Sequence, residues 1–96
     1  MRRGTTPTLS FTTTRDLSGF ATVVLTIRNK GRNLDFGRDR LAFDSEGFSL
    51  TLTQKETLSM AGTAEIQVRA VSADGVAVAS DIAAVDVDRI LKDGVL

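Results

Sequence analysis

The sequence contains no cysteine, histidine, tryptophan or tyrosine, and it has a single proline. Without cysteine, the chain has neither a disulfide framework nor a thiolate metal site. The missing histidine and cysteine also remove the commonest general base, the commonest metal ligand and the best side-chain nucleophile. We therefore predict that the protein is not an enzyme, and that it has no catalytic residues, no bound metal and no cofactor.

Long hydrophobic runs are missing too. No segment approaches the roughly 20 apolar residues that span a bilayer, and the opening stretch MRRGTTPTLSF has no apolar run of signal-peptide length. Twelve basic side chains balance twelve acidic ones, so no net charge attracts nucleic acid or a membrane. These features predict a soluble, unprocessed chain, made and folded in the cytoplasm, that binds neither nucleic acid nor membranes.

The charges do separate along the chain. Residues 1–48 carry eight basic and five acidic side chains, and residues 49–96 carry four and seven, so the halves are +3 and −3. Two interpretations stay open. The two halves form solvated faces that happen to differ, or one face docks on its opposite in self-association.

Apolar and polar residues alternate through most of the 96 residues, as in strands with one buried face. The length suits one domain, residues 1–96. A first strand over 6–14 directs Leu9 and Phe11 inward and places Pro7 at a strand start or edge. The other predicted inward residues are Ala21, Val23, Leu25, Ile27, Phe48, Leu50, Leu52, Ala64, Ile66, Val68 and Ala70.

Turn signals divide the strands. The stretches NKGR (29–32), SEG (45–47) and ADG (73–75) each supply a glycine where a tight turn needs a positive φ. We therefore predict a meander of three strands and a closing hairpin. The strands of the meander cover 21–28, 33–43 and 47–53, and those of the hairpin cover 63–72 and 76–87.

One segment breaks the alternation. TQKETLSMAG begins with Thr53 and has Glu56 three residues later, which is the spacing of a helix capping box. We expect one or two helical turns there, with Leu58 and Met60 inward and Gly62 ending the turn. The whole pattern predicts an all-β, immunoglobulin-like antiparallel β-sandwich of about seven strands, with one short helical crossover near residues 54–60. No Cys or Trp pair makes it an antibody-type domain.

Three groups of residues are candidates for binding. Asp86 and Asp88 share one strand face and either hold a calcium ion or form a charged edge that resists strand pairing. The basic run 28–40, with Phe36, is either a nucleic-acid surface or a charged hairpin tip, and the alternation places Phe43 in the core. The missing tryptophan and tyrosine disfavour a sugar site.

The third group lies in the C-terminal segment, residues 89–96, which follows the last predicted strand. It carries four sizeable apolar side chains on a short charged stretch. These candidate partner-docking residues are Ile90, Leu91, Val95 and Leu96.

Several stretches carry a resemblance to known proteins. They are Arg3-Gly4-Thr5-Thr6-Pro7, the Leu-Thr-Gln-x-Glu-Thr stretch at 52–57, Glu65-Ile66-Gln67 and Ile90-Leu91-Lys92-Asp93-Gly94. Together they resemble small proteins encoded among the tail genes of bacteriophages and prophages of low-GC Gram-positive bacteria. The chain is also similar, more distantly, to the immunoglobulin-like N-terminal domain of phage baseplate upper proteins.

The resemblance implies a structural or interaction protein of a prophage tail or baseplate. It would be made in the bacterial cytoplasm and associated with the virion, with other tail or baseplate proteins, or further copies of itself, as partners. The alternative function is a small carbohydrate- or cell-surface-binding module in host adsorption. For the C-terminal segment two hypotheses remain: it docks on a neighbouring subunit, or it folds back over the open end of its own sandwich.

Overall fold

A computed structural model describes residues 1–13 and 15–96. In this part of the chain there are eight strands, one α-helix and one 3₁₀ turn. Their bounds are β1 Thr8–Thr12, β2 Thr22–Asn29, β3 Arg32–Phe36, the 3₁₀ turn Arg38–Arg40, β4 Leu41–Phe43, β5 Gly47–Thr51, α1 Gln54–Leu58, β6 Gly62–Val71, β7 Ala77–Ala79 and β8 Ala83–Val87.

The strands form two antiparallel sheets that pack against each other. One has the order β1-β5-β4, and the other has the order β3-β2-β6, with β7 and β8 both paired to the far side of β6. This confirms the predicted all-β sandwich. The pairing order is that of strands B, E, D and C′, C, F, G of an immunoglobulin-type domain, with β7 and β8 as two parts of strand G.

The core lies between the sheets and consists of the inward faces of the alternating strands. The predicted inward residues of β2, β5 and β6 are buried, and Leu52 is buried beyond the end of β5. Ala21, predicted to be inward, lies before β2 and is exposed. Leu9 and Phe11 are only half-buried, and Thr14, predicted to end the first strand, lies outside the described residues.

The first predicted hairpin is confirmed. Asn29 pairs with Arg32, so the loop has two residues, Lys30 and Gly31, with φ values of 53° and 77°. Positive φ at both positions is the requirement of a type I′ turn. Gly47 corrects the second turn prediction, because its φ is not positive. Glycine is required there for space, since an added Cβ would lie 1.8 Å from the Phe11 carbonyl oxygen.

The prediction of one strand over 33–43 was wrong. The chain runs along the five-stranded sheet as β3, turns through Arg38–Arg40, and continues in the three-stranded sheet as β4. Phe36 and Leu41 are both buried, although they are an odd number of positions apart. A continuous strand would place these two side chains on opposite faces. The 3₁₀ turn between them changes the orientation of the chain, so both side chains face the core.

The predicted strand 76–87 is interrupted. At Ser80 the side chain replaces a backbone group: the Val68 N–H donates to Ser80 Oγ at 3.0 Å, while the Ser80 N–H donates to the Val68 carbonyl at 2.9 Å. A side chain that takes a ladder hydrogen bond in this way competes with the regular strand. The ladder resumes at Ala83, where β8 begins.

Helix α1 carries the chain from one sheet to the other, and its capping box is confirmed. The Glu56 N–H donates to Thr53 Oγ1 at 3.2 Å, and the Thr53 N–H donates to Glu56 Oε1 at 2.7 Å. The helix ends at Leu58, so it is shorter than the predicted 54–60. Met60 is buried as predicted, whereas Leu58 is half-buried.

Candidate functional site

The four candidate docking residues of the C-terminal segment do not share one environment. Ile90 is half-buried. Leu91, Val95 and Leu96 are exposed, with relative accessibilities of 100%, 56% and 107%. The position of Ile90 agrees with the hypothesis that the segment folds back over its own domain. The other three side chains are exposed and available to a partner.

Ile90 packs against the turn that precedes β1. A methyl group added at Gly4 would lie 3.1 Å from Ile90 Cδ1 and 3.3 Å from Leu58 Cδ2. Ile90 and Leu58 therefore both pack over the bare backbone of Gly4, which brings the C-terminal segment close to the end of α1.

Arg3 fixes the same junction through its guanidinium group. Nε donates to the Met60 carbonyl at 2.8 Å, and Nη2 donates to the Leu58 carbonyl at 2.7 Å. Carbonyls at the end of a helix lack partners within the helix, so Arg3 satisfies groups that would otherwise need water. Nη1 also lies 2.6 Å from Asp93 Oδ1. One side chain thus connects the N-terminal stretch, the end of α1 and the C-terminal segment.

The C-terminal segment runs antiparallel to α1. It starts beside Leu58 with Ile90, and at its other end the Leu96 N–H donates to the side-chain oxygen of Gln54, the first residue of the helix, at 3.1 Å. The segment therefore has a defined path over the helical crossover.

The N-terminal residues hold the start of the segment. Arg2 forms a parallel bridge with Asp88, and the Asp88 N–H donates to the Met1 carbonyl at 2.6 Å. Arg2 Nη1 also donates to the Arg89 carbonyl at 2.9 Å. These bonds place the beginning of the chain next to the end of β8.

A charged pair links α1 to the 3₁₀ turn Arg38–Arg40. Arg40 Nη2 and Nη1 donate to Glu56 Oε1 and Oε2 at 2.8 and 2.9 Å, in the bidentate geometry that suits arginine and a carboxylate. The hydrogen bonds from Arg40 hold the pKa of Glu56 below its ordinary value of 4.5, although desolvation acts in the other direction. The same pairing raises the pKa of Arg40.

The basic run 28–40 divides into structural and exposed side chains. Arg38 donates to the carbonyls of Ser18, at 2.8 Å, and Phe20, and its guanidinium lies 5.2 Å from the centre of the Phe43 ring. Phe36 is buried beneath Arg40, so it does not offer a stacking surface. The remaining basic residues of the run, Arg28, Lys30 and Arg32, are exposed as well. Arg28 and Arg32 flank the β2–β3 turn that contains Lys30.

A polar groove crosses the outer face of the five-stranded sheet. Its polar lining residues are Thr26, Arg28, Asn33, Asp35, Glu65, Gln67 and Arg69. Several of them have partners within the protein: Thr26 Oγ1 donates to Asp35 Oδ1 at 2.6 Å, and Arg28 lies opposite Glu65 on the neighbouring strand. Opposite charges across neighbouring strands stabilise the sheet.

Asp86 and Asp88 are both exposed, and Thr63 Oγ1 lies 3.4 Å from Asp86 Oδ1. Within residues 1–13 and 15–96, no group of three or more acidic, histidine or cysteine side chains is placed to hold a metal ion. The charged-edge interpretation of these two residues needs no ligand.

The role of Arg3 was not predicted from the sequence, because two of its partners are backbone carbonyls and the third is Asp93, near the other end of the chain.

No protein family, curated protein or solved structure matches this chain. The described ranges include no helix that is long and apolar enough to cross a membrane.

Proposed function

We propose that the chain is a non-enzymatic structural or interaction protein of a prophage tail or baseplate, and that the C-terminal segment is its docking surface. The observation that supports the proposal is that residues 89–96 include both side chains that contact the domain and apolar side chains that remain exposed. Ile90 and Asp93 attach the segment to the domain, whereas Leu91, Val95 and Leu96 remain exposed.

The sequence resemblance supports the same surface. Two of the stretches that carry it, residues 3–7 and 90–94, contact each other through Arg3 with Asp93 and through Gly4 with Ile90. A docking surface shared with phage tail proteins would draw on residues that lie together in this way. The order of strands, which is that of an immunoglobulin-type domain, agrees with the more distant resemblance to baseplate upper proteins.

The size of the surface suits assembly better than tight binding by one copy. Each exposed side chain would contribute roughly 1.5–3 kcal/mol if a partner buried it fully. Association itself costs an estimated 4–15 kcal/mol, so three such side chains support weak attachment. Repeated copies in a virion would convert weak contacts into stable ones, because later contacts form within the same particle.

The test is a co-purification experiment with tail and baseplate proteins encoded near this gene. A variant with Leu91, Val95 and Leu96 changed to serine should lose the partner. The chain offers a matched control in Val71, Val76 and Ile82, which are 40%, 48% and 60% exposed and lie away from the segment. Changing these three to serine should leave binding intact. Binding that survives in the first variant, or no binding by the unchanged protein, would contradict the proposal.

The alternative, a carbohydrate- or cell-surface-binding module, would use the polar groove of the five-stranded sheet, where amide, carboxylate and guanidinium groups lie together. The chain contains no tryptophan or tyrosine to stack on a sugar ring. We expect a blank glycan array. Saturable binding of a cell-wall polysaccharide that is lost in Gln67→Ala would favour this function instead.

A further inference from the structure

Strand β1 is paired on one side only among the described residues. It pairs with β5 from Thr8 opposite Thr51 to Thr12 opposite Gly47. No other described residue forms a ladder with its second side. In an immunoglobulin-type constant domain, strand A occupies this position beside strand B.

The backbone groups on the open side can be identified from the pattern of hydrogen bonds. The Leu52 N–H donates to the Pro7 carbonyl at 3.0 Å, and the Thr13 N–H donates to the Glu46 carbonyl at 3.1 Å. Hydrogen-bonded pairs recur at every second residue of an antiparallel ladder. The N–H and C=O groups of residues 9 and 11 therefore point to β5, and those of residues 8, 10 and 12 point to the open side.

The open side of β1 lacks the features by which edge strands avoid pairing, which are charge, proline, bulges and shortness. Its five residues, Thr-Leu-Ser-Phe-Thr, include no charged side chain and no proline. The other edges are different: β3 carries Arg32 and Asp35, β8 carries Asp86, and β4 and β7 have three residues each. Among the described strands at a sheet edge, β1 is best suited to accept another strand.

Two depressions border the C-terminal end of β1. An open cleft lies between the end of β1 and β7, and its apolar lining includes Leu17, Val68 and Val78. A neighbouring recess is lined by Phe11 and reaches Phe48 in the core. A strand added to β1 would cover part of this apolar surface.

We propose that β1 pairs antiparallel with β1 of a second copy of this chain, around a twofold axis at Ser10. Ser10 of each copy then lies opposite the other, Thr8 lies opposite Thr12, and Leu9 lies opposite Phe11. Residues 8, 10 and 12 form the hydrogen-bonded pairs of the new ladder, and these are the residues whose backbone groups point away from β5. The two three-stranded sheets become one sheet of six strands.

A second copy suits this edge because the strand is self-complementary. A twofold axis requires that residues equally distant from it match each other. Thr8 and Thr12 are exposed β-branched hydroxyl residues, and Leu9 and Phe11 are half-buried apolar residues on the inner face. Each polar side chain therefore meets a polar one, and each apolar side chain an apolar one. Such cross-strand pairs stabilise a sheet.

The experiment is sedimentation velocity of the full chain at concentrations from about 10 μM to about 1 mM, which detects dissociation constants in the same range, or about −7 to −4 kcal/mol. The mass should rise from that of the 10.3 kDa monomer towards twice that value. Because the pairing involves no charges, it should not weaken as salt increases. A protein that stays monomeric over the whole range would overturn the proposal.

Charge substitutions test the register. Ser10→Lys and Ser10→Glu each place like charges opposite each other at the twofold axis, so each variant alone should remain monomeric. A mixture of the two should form a heterodimer, because opposite charges then meet. A mixture that remains monomeric would contradict the Ser10 register. Circular dichroism and thermal melting of each variant establish that it is folded.

A matched control is Ala42→Lys. Ala42 is exposed and lies in the same cross-strand row, opposite Ser49, which in turn lies opposite Ser10. It belongs to β4, at the other edge of the same sheet, so this variant should dimerise normally. A loss of dimer equal to that of Ser10→Lys would assign the contact to a different surface. The variant with serine at Leu91, Val95 and Leu96 should also dimerise. Dimerisation through β1 is therefore tested independently of docking through the C-terminal segment.

Discussion

Arg3 and Asp93 are 90 positions apart in the sequence, and the Arg3 guanidinium lies 2.6 Å from the Asp93 carboxylate. The same guanidinium also donates to the carbonyls of Leu58 and Met60. Arg3 is half-buried, with a side chain 19% exposed, whereas the side chain of Asp93 is 65% exposed. The two residues of the pair therefore contribute to stability in different ways.

We predict that Arg3→Ala lowers the free energy of unfolding by about 1–3 kcal/mol, because it leaves two partly buried carbonyls without a donor. Asp93→Ala should cost less than about 1 kcal/mol, since an exposed ion pair is screened by water. Urea denaturation of both variants measures the difference. Equal decreases in the free energy of unfolding would mean that Arg3 stabilises the protein through the ion pair and not through the carbonyl contacts.

The pair of Arg40 and Glu56 predicts a dependence of stability on pH. Glu56 has a lower pKa in the folded protein than its ordinary value of 4.5, chiefly because Arg40 donates to it. Between the folded pKa of Glu56 and its ordinary value, the unfolded chain therefore binds more protons than the folded protein. The stabilisation from this pair is complete above pH 4.5 and disappears as the pH falls through the folded pKa.

Glu56→Gln isolates this effect, because glutamine keeps the capping box and removes the charge. We expect the variant to be less stable than the unchanged protein by about 1 kcal/mol at pH 7. The difference should shrink towards zero on acidification. Urea midpoints for the two proteins at pH 7 and at strongly acidic pH provide the comparison, and a constant difference would show that the charge of Glu56 does not contribute.

Asn29 joins the end of β2 to Ala61, which precedes β6, and to Thr63 at the start of β6. Its Nδ2 donates to the carbonyls of Ala61 and Thr63 at 2.7 and 3.1 Å, and its Oδ1 accepts from the Ala61 N–H at 3.1 Å. We predict that Asn29→Ala lowers the free energy of unfolding by about 2–3 kcal/mol, since it leaves partly buried backbone groups unpaired. Asn33→Ala, at an exposed position of β3, is the control and should change stability by less than about 0.5 kcal/mol. Thermal and urea unfolding that fails to separate the two would contradict this role.

Substitutions at the adjacent residues Ile90 and Leu91 should have different effects on the free energy of unfolding. Ile90→Ala removes the contact with Gly4 and Leu58, and we expect it to lower the free energy of unfolding by about 1–2 kcal/mol. Leu91→Ala changes a fully exposed side chain and should stay within about 0.5 kcal/mol of the unchanged protein. Chemical denaturation at two protein concentrations keeps self-association apart from folding. A large loss in Leu91→Ala at low concentration would place that side chain against its own domain.

The sequence predicted the features that depend on near neighbours. Alternation over two residues located the buried faces of β2, β5 and β6, and the Thr53–Glu56 spacing located the start of α1. The Lys30-Gly31 turn was also evident, since a type I′ turn needs positive φ at two adjacent positions. The break between β3 and β4 was detectable in principle, because Phe36 and Leu41 are an odd number of positions apart.

Only the tertiary structure placed the C-terminal segment, where the composition of residues 89–96 left its course undecided. The contact of Ile90 with Gly4 decided it, together with the bonds from Arg3 to Leu58, Met60 and Asp93. The requirement for glycine at position 47 likewise came from the approach of the Phe11 carbonyl on another strand. Local patterns record which side chains share a face of one element. Contacts between distant residues arise only when the sheets pack, so a single sequence carries no periodic signal of them.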